Sequence, residues 1–494
     1  MVGRRFGVWS AAVGLLFAGL AGAAGTACGG TGSSAADDGG VDVPADVPDD
    51  ADGDDPDGSS PEDGAGDVPV AACGNRILET GEECDLDELG DATCASLGLT
   101  PGTLACGDDC RFDVVGCAVC DDGHCEGGET PTSCPGDCAV RHLAAGTMHA
   151  CAVLADGRVR CWGGTEGHRI PGLGDARRPV EVPSITGALE VATGMAHTCA
   201  VLSDGTARCW GRNGFGELGR RTISTEEGTP APVAGLTGVT HVGAGSYHTC
   251  AWSETGGTFC WGRGDHGAVG DGTWTARQPT PIEVDLASTS RLTVFAGGDH
   301  HSCGQVGSTV KCWGDNNQGE VGVGTPAWRS SPALTVPGYA NALGSGAVHA
   351  CAQVLNPFGP LMSGLFCWGS NSFGQLGVPA GPDVLGPQRL SDVAATAIAG
   401  GYGHTCVLGL TPSVVQCWGD NHYGQLGDGT EVSRHTPAEA TGLTTVTALA
   451  LGRDFSCALL ADDTVRCWGR NHRGQLGDGS SDRRRSTPVE PVGL

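Results

Sequence analysis

The side chains best equipped for chemistry in this 494-residue sequence are its 25 cysteines and a recurrent set of histidines. The recurrent phrases are His149-Ala-Cys151, His197-Thr-Cys199, His248-Thr-Cys250, His301-Ser-Cys303, His349-Ala-Cys351 and His404-Thr-Cys406, with Phe455-Ser-Cys457 as a seventh copy. A second cysteine, always opening Cys-Trp-Gly, follows each first one. The pairs are Cys151 with Cys161, Cys199 with Cys209, Cys250 with Cys260, Cys303 with Cys312, Cys351 with Cys367, Cys406 with Cys417 and Cys457 with Cys467. Imidazoles and thiolates at such spacing suit either metal ligation or cross-linking. Metal ligation requires the histidines to converge, whereas equivalent positions of a symmetric repeat stay apart. A structural role, hydrogen bonding backbone within or between repeats, is therefore expected, and Phe455 at the seventh position agrees with it. No metal, no cofactor and no catalytic constellation is expected. Asp156-Gly157 and Asp204-Gly205 read as hairpin turns and not as catalytic acids.

The elements that position the cysteines follow from counting. Between Cys151 and Cys161 lies Ala155-Asp156-Gly157, a three-residue loop ending in a left-handed glycine. Leu154 then pairs with Arg158, Val153 with Val159, Ala152 with Arg160, and Cys151 with Cys161. Alternation makes the cysteine pair non-hydrogen-bonded, the closer type, and within bridging distance. One position further out, Ala150 faces Trp162. The residue before the first cysteine is Ala, Thr or Ser in all seven copies, so a small side chain always lies opposite the tryptophan. Trp162, Trp210, Trp261, Trp313, Trp368, Trp418 and Trp468 recur at intervals of 48 to 55 residues. That period, with dense glycine and strand signals, predicts propeller blades.

After each tryptophan comes a glycine-rich turn, as in Gly419-Asp-Asn421-His-Tyr-Gly424-Gln-Leu426-Gly427, whose leucine is placed to plug the core. No strand-to-helix pattern follows these glycines, so they are not phosphate loops. The phrase Trp-Gly-x-Asn-x-x-Gly-Gln-Leu-Gly, then Pro, then Gly-x-x-His-Thr-Cys resembles the regulator of chromosome condensation repeat family. The resemblance covers residues 140–494. It is weaker at Gly262-Arg-Gly264 and Gly319-Glu-Val321, and the first copy, at Gly172-Leu173-Gly174, is reworked. It implies an all-β fold, a seven-bladed β-propeller of four-stranded antiparallel blades. The paired cysteines resemble exported bacterial members more than nuclear ones. The last phrase, Ser486-Thr-Pro488-Val489, is expected to complete the first blade beside Leu143–Gly146, so that the C-terminal strand closes the ring.

The residues before the propeller place it outside the cell. Arg4 and Arg5 precede an apolar run, Phe6 to Ala24, that reads as a signal peptide over 1–27. Cys28 sits in Gly25-Thr26-Ala27-Cys28-Gly29, which resembles a lipoprotein cleavage site. Lipid attachment at Cys28 would leave ten cysteines before residue 139, all able to pair; ordinary cleavage and release is the alternative. Residues 28–72 are an acidic, disordered linker. Residues 73–138 hold ten cysteines and two bases against 15 acids, and resemble cysteine-rich modules of exported myxobacterial proteins. Disulfides are expected there, of unassigned connectivity, with zinc or calcium as weaker alternatives. Residues 139–494 are the propeller. Of the formal charge of −29, residues 29–72 and 73–138 each carry −13, leaving the propeller near neutral. Without a basic stripe, nucleic-acid binding is excluded.

These features predict a non-enzymatic, monomeric protein of the cell surface or outer membrane, or a secreted one. It would touch the membrane only through its lipid and bind a protein or glycan with propeller-face loops. The unusual insertions are 164–178, Trp274–Gln278, Trp328–Ser331 and 356–363. The basic pairs Arg177-Arg178 and Arg220-Arg221 and the run Arg483-Arg-Arg485 are solvated or meet an acidic partner. Two alternatives stand. Some exported propellers resembling this one bind and block β-lactamases, which implies a secreted-enzyme inhibitor. A lyase or hydrolase would require acids and histidines converging in one pocket. Guanine-nucleotide exchange, which the nuclear relatives imply, does not suit an exported chain.

Overall fold

A computed structural model describes residues 83, 84, 89, 92, 93, 96, 103–106 and 111–116, and then 138–494 apart from 165–175, 254–255, 287–291, 356–362, 391–392 and 410–413. The signal peptide, Cys28, the linker, most of the cysteine-rich module and most of the 164–178 and 356–363 loops lie outside the described residues. Within the module, strand Thr103–Cys106 pairs with Phe112–Gly116, and Cys84 bridges to Cys106.

From residue 140 the chain folds into seven four-stranded antiparallel sheets, each built from four consecutive strands. The blades span 140–181, 188–232, 241–283, 292–337, 339–390, 395–439 and 446–489. The hairpin register agrees with the count: Val153 faces Val159, Ala152 faces Arg160, Cys151 faces Cys161, and Ala150 faces Trp162. The Leu154 N–H donates to Arg158 O at 2.9 Å, and Gly157 has φ +80°. A Cβ at Gly157 would lie 2.7 Å from the backbone of Gly187, so a left-handed conformation and a close approach both select glycine. All seven cystines bridge facing residues, with Cα atoms 4.0–4.1 Å apart.

The core lies between blades. Trp162, Trp261, Trp313, Trp368, Trp418 and Trp468 are buried. Each donates its indole N–H to a carbonyl of the preceding blade's turn, namely Gln475, Glu217, Ala268, Glu320, Gln375 and Gln425 in the same order, at 2.7–3.0 Å. A small residue stands opposite each tryptophan, as Ala150 does opposite Trp162. Leu218, Leu376, Leu426 and Leu476 fill the turns behind, fully buried.

Ring closure departs from expectation. Strand Arg484–Val489 pairs with Val465–Arg470 as the outermost strand of blade 7, not with blade 1. Blade 1 already has its innermost strand, Val140–Ala145, from the residues just before His149. No vacancy remains for the tail strand to fill. Closure is by packing instead. Leu494 is buried in one cluster with Leu143, Ala150, Trp162 and Phe455. Arg160 donates to Gly493 O at 2.7 Å, and Arg177 to Ser480 O at 2.8 Å.

Candidate functional site

In every blade, the N–H of the residue after Trp-Gly donates to the carbonyl of the residue before the histidine position. These pairs run Gly164 to Met148, Arg212 to Ala196, Arg263 to Tyr247, Asp315 to His300, Ser370 to Val348, Asp420 to Gly403 and Arg470 to Asp454, at 2.7–3.0 Å. The glycine-rich turns and the innermost turns therefore share one end of the propeller, the axial face. At its centre, all seven innermost turns border a cavity of about 200 Å³. Thr193, Tyr247, Ser345 and Leu451 line it together with the residue that follows each turn glycine, namely Thr147, Met195, Ser246, Asp299, Ala347, Tyr402 and Arg453. Backbone N–H groups of these residues donate to the next blade at six of the junctions, from Thr147 to Gly194 O around to Tyr402 to Arg453 O.

The histidines do not form a ligand ring. His149, His197, His248, His349 and His404 each place Nε2 2.7–3.0 Å from a hydroxyl of the next blade, those of Thr198, Thr249, Ser302, Thr405 and Ser456. The last four hydroxyls donate onward to carbonyls of Glu217, Ala268, Gln375 and Gln425. Their oxygens thus accept from the imidazoles, which fixes the Nε2–H tautomer. The partner is a side chain rather than the expected backbone. Phe455 meets a blade whose equivalent residue is Ala150, without a hydroxyl, so an apolar ring belongs there. His301 is the exception: the next blade offers Ala350, and its buried Nε2 has no partner. Burial pushes His248 and His404 down to about 4, and His301 and His349 to about 3. Among the described residues no cluster of acids, histidines and cysteines is placed to hold a metal.

Beside the cavity, blades 2–4 carry a continuous aromatic and arginine arc. Phe215 meets Tyr247 edge-on at 5.8 Å, Tyr247 stacks on His300 at 5.1 Å, and His300 on His266 at 4.5 Å. His266 reaches Trp328 at 4.7 Å, and Trp328 reaches Trp274 at 6.2 Å. Arg212 and Arg263 lie over Phe215 and Tyr247, and Arg277 over Phe215. Burial, reinforced by the nearby His266 and Arg263, pushes His300 down to about 3, so it stacks as a neutral ring. Asp265 binds Arg263 at 2.8 Å and His266 at 2.7 Å. The Trp328 indole donates to Asn317 Oδ1 at 3.0 Å, which fixes its orientation while leaving 38% of the residue exposed. Trp274 is 49% exposed.

Two of the four expected insertions, Trp274–Gln278 and Trp328–Ser331, thus converge. The 356–363 insertion lies almost wholly outside the described residues; the flanking ends of strands His349–Leu355 and Gly364–Gly369 are those away from the axial face. The basic runs serve mainly as internal ties: Arg220 pairs with Glu227, Arg484 with Glu431, and Arg485 with Asp478 and Asp482. Tyr247, Asp299 and His300 were not singled out by the repeat pattern. Their signal is the variable pair between the constant glycine and the histidine of each repeat.

Comparison with known proteins places this architecture. Residues 164–493 match the RCC1-like domain, and residues 140–166 match the regulator of chromosome condensation (RCC1) repeat. The chain is 31% identical over 210 residues to the mitochondrial RCC1 domain-containing protein RUG3 of Arabidopsis thaliana, covering 40% of this chain and 47% of that protein. It is 30% identical over 208 residues to the human probable E3 ubiquitin-protein ligase HERC6, covering 40% of this chain and 20% of that protein. It thus spans less than half the length of these curated relatives. Among solved structures, Prp20p of Saccharomyces cerevisiae, described with its binding to Gsp1p and histones, superposes with a TM-score of 0.59. That match is 22% identical and covers 67% of this chain and 85% of the yeast chain.

Proposed function

The chain belongs to the RCC1-like domain family, and on that premise we propose that it is an exported cell-surface binding protein that seats a partner protein on the axial face of its propeller. The observation that carries this reading is the arc from Phe215 to Trp274. Tryptophan, tyrosine and arginine are the residues that dominate protein interfaces when held rigidly around a desolvated centre. Here every ring of the arc except Trp274 is stacked, hydrogen-bonded or capped by a guanidinium, so little side-chain entropy remains to be lost there on binding. The structural relatives support a protein partner: the yeast protein Prp20p binds Gsp1p, histones and Kap60. Export is supported by the signal-like N-terminus and by seven cystines, which persist in oxidising compartments. Lipid attachment at Cys28 would hold the propeller at the membrane it was exported across.

The test is site-specific photo-crosslinking in the native cell envelope. A benzophenone side chain at Trp328 should give a discrete protein adduct, and His300→Ala with Arg263→Ala should abolish it. The same group at Leu189, exposed at the opposite end, should give none. Adducts from Leu189 but not from Trp328 would refute the assignment of the face.

A further inference from the structure

The axial cavity has a chemistry of its own. Its wall is mostly backbone, because a Cβ at Gly146, Gly194, Gly245, Gly298, Gly346, Gly401 or Gly452 would lie 1.9–2.2 Å from the next turn or an adjacent ring. The turns are therefore closely packed, and each contributes to the lining the residue that follows its glycine, seven in all. Five are neutral. The other two are Asp299 in blade 4 and Arg453 in blade 7, three blades apart, which is the widest separation that a seven-membered ring allows. Opposite charges thus border one small cavity from opposite sides. Asp299 is half-buried, and one carboxylate oxygen accepts from the Ser246 hydroxyl. Burial raises it above the ordinary carboxylate range, against the Ser246 hydrogen bond and the distant attraction of Arg453. No cation forms an ion pair with it among the described residues. Arg453 lies over the Tyr402 ring at 4.6 Å, and its nearest approach to Asp454 is by Nε, at 3.7 Å. Its two terminal nitrogens keep donors to offer.

We propose that this cavity binds a small zwitterion, an amino-acid-sized molecule whose ammonium group meets Asp299 and whose carboxylate or sulfonate meets Arg453. Each charged end would gain a charge-assisted hydrogen bond. A molecule with a single charge satisfies one wall and leaves the other uncompensated. The neutral positions Thr147, Met195 and Ala347 add bulk without competing charge. The proposal does not depend on capture of a partner protein, and its test needs none.

Calorimetric titration of the full chain with β-alanine, γ-aminobutyrate and δ-aminovalerate grades the distance between the charges, and butylammonium and butyrate supply the single-charge controls. At least one zwitterion should bind saturably, and both controls at least about tenfold more weakly. Asp299→Asn and Arg453→Gln should each weaken binding about ten- to a hundredfold. Ala347→Leu, which fills the cavity without touching either charge, should abolish it while the fold is retained. Asp299 also holds Ser246, so Ser246→Ala separates the two roles: it keeps the carboxylate and should leave binding within about threefold of native. The proposal is overturned if no zwitterion saturates by about 10 mM. It is equally overturned if binding survives both charge substitutions or Ala347→Leu, or if Ser246→Ala is as damaging as Asp299→Asn.

Discussion

Ala350→Ser should make this protein more stable, although it places a hydroxyl in the core. At five junctions a histidine Nε2 pairs with a hydroxyl of the next blade, and at the seventh Phe455 meets Ala150; among the histidines only His301 faces a blade with no hydroxyl for its Nε2. Leaving a buried polar atom unpaired costs about 1–3 kcal/mol. A serine at 350 would accept from His301 and donate to Glu320 O, which already takes the Trp368 indole at 2.8 Å. Gln425 O takes both Ser456 at 2.9 Å and Trp468 at 2.8 Å in this way, so the geometry exists in the same fold. With an unfolding entropy near 2.1 cal/mol/K per residue over roughly 350 residues, the gain corresponds to a rise in Tm of about 1.5–4 °C. Scanning calorimetry with the cystines intact measures it. The converse substitution, Thr405→Ala, strands His349 and should cost a similar amount, and adding His349→Phe should recover most of it by recreating the Phe455–Ala150 junction. A lower Tm for Ala350→Ser, or no cost for Thr405→Ala, would show that hydroxyl pairing does not set these residue types.

Further outcomes follow from other parts of the fold. Burial, then Asp315 and Asp383, raises Glu320 from 4.5 to about 7. The fold therefore holds a proton that the unfolded chain releases, and stability falls as pH rises from 4.5 through 7. Glu320→Gln, which restores the residue found in blades 5–7, should stabilise at pH 8 and make no difference below about pH 4.5 in denaturant melts. The buried histidines act in the opposite sense. His248, His301, His349 and His404 are held far below 6.5, so stability is complete above that pH and is lost as pH falls towards 4 and 3. Acid unfolding followed by tryptophan fluorescence should shift to lower pH in His301→Phe. Removing the first cystine with Cys151→Ala and Cys161→Ala should cost about 2–3 kcal/mol in the same melts. Leu494→Ala should cost about 2 kcal/mol or more, because that side chain is buried in the cluster that holds Trp162 and Phe455 at the ring junction.

The hairpin was legible because loop length and turn residue fix register. Ala155-Asp156-Gly157 left one pairing for Cys151, and the small residue opposite each tryptophan followed from it. Repeat count and fold class followed from the tryptophan period. Closure was not legible, since a tandem repeat carries no mark of where its blades are cut. What settled the phase was whether Val140–Ala145 pairs with His149–Leu154, a contact that exists only in the folded ring. The histidine partners were obscured for a related reason. His197 and Thr249 lie 52 residues apart and meet only across a blade junction. The signature was nonetheless present, because Phe455 replaces histidine where the ring returns to Ala150. The axial residues were hidden by variability: Asp299 and Arg453 sit at a position where every repeat differs, and only the common axis gives that position a meaning.

Because each blade is an unbroken run of chain, and no strand is lent from one end of the propeller to the other, every blade boundary is equivalent in connectivity to the seam between the first and last blades. A gene recut to begin at any of those boundaries, with the old ends tied together, would ask nothing new of the sheets. By the same token, copying or losing a stretch of about fifty codons adds or removes one complete wedge. The architecture thereby supplies a route by which such rings gain and lose members, at the cost of re-fitting a single seam.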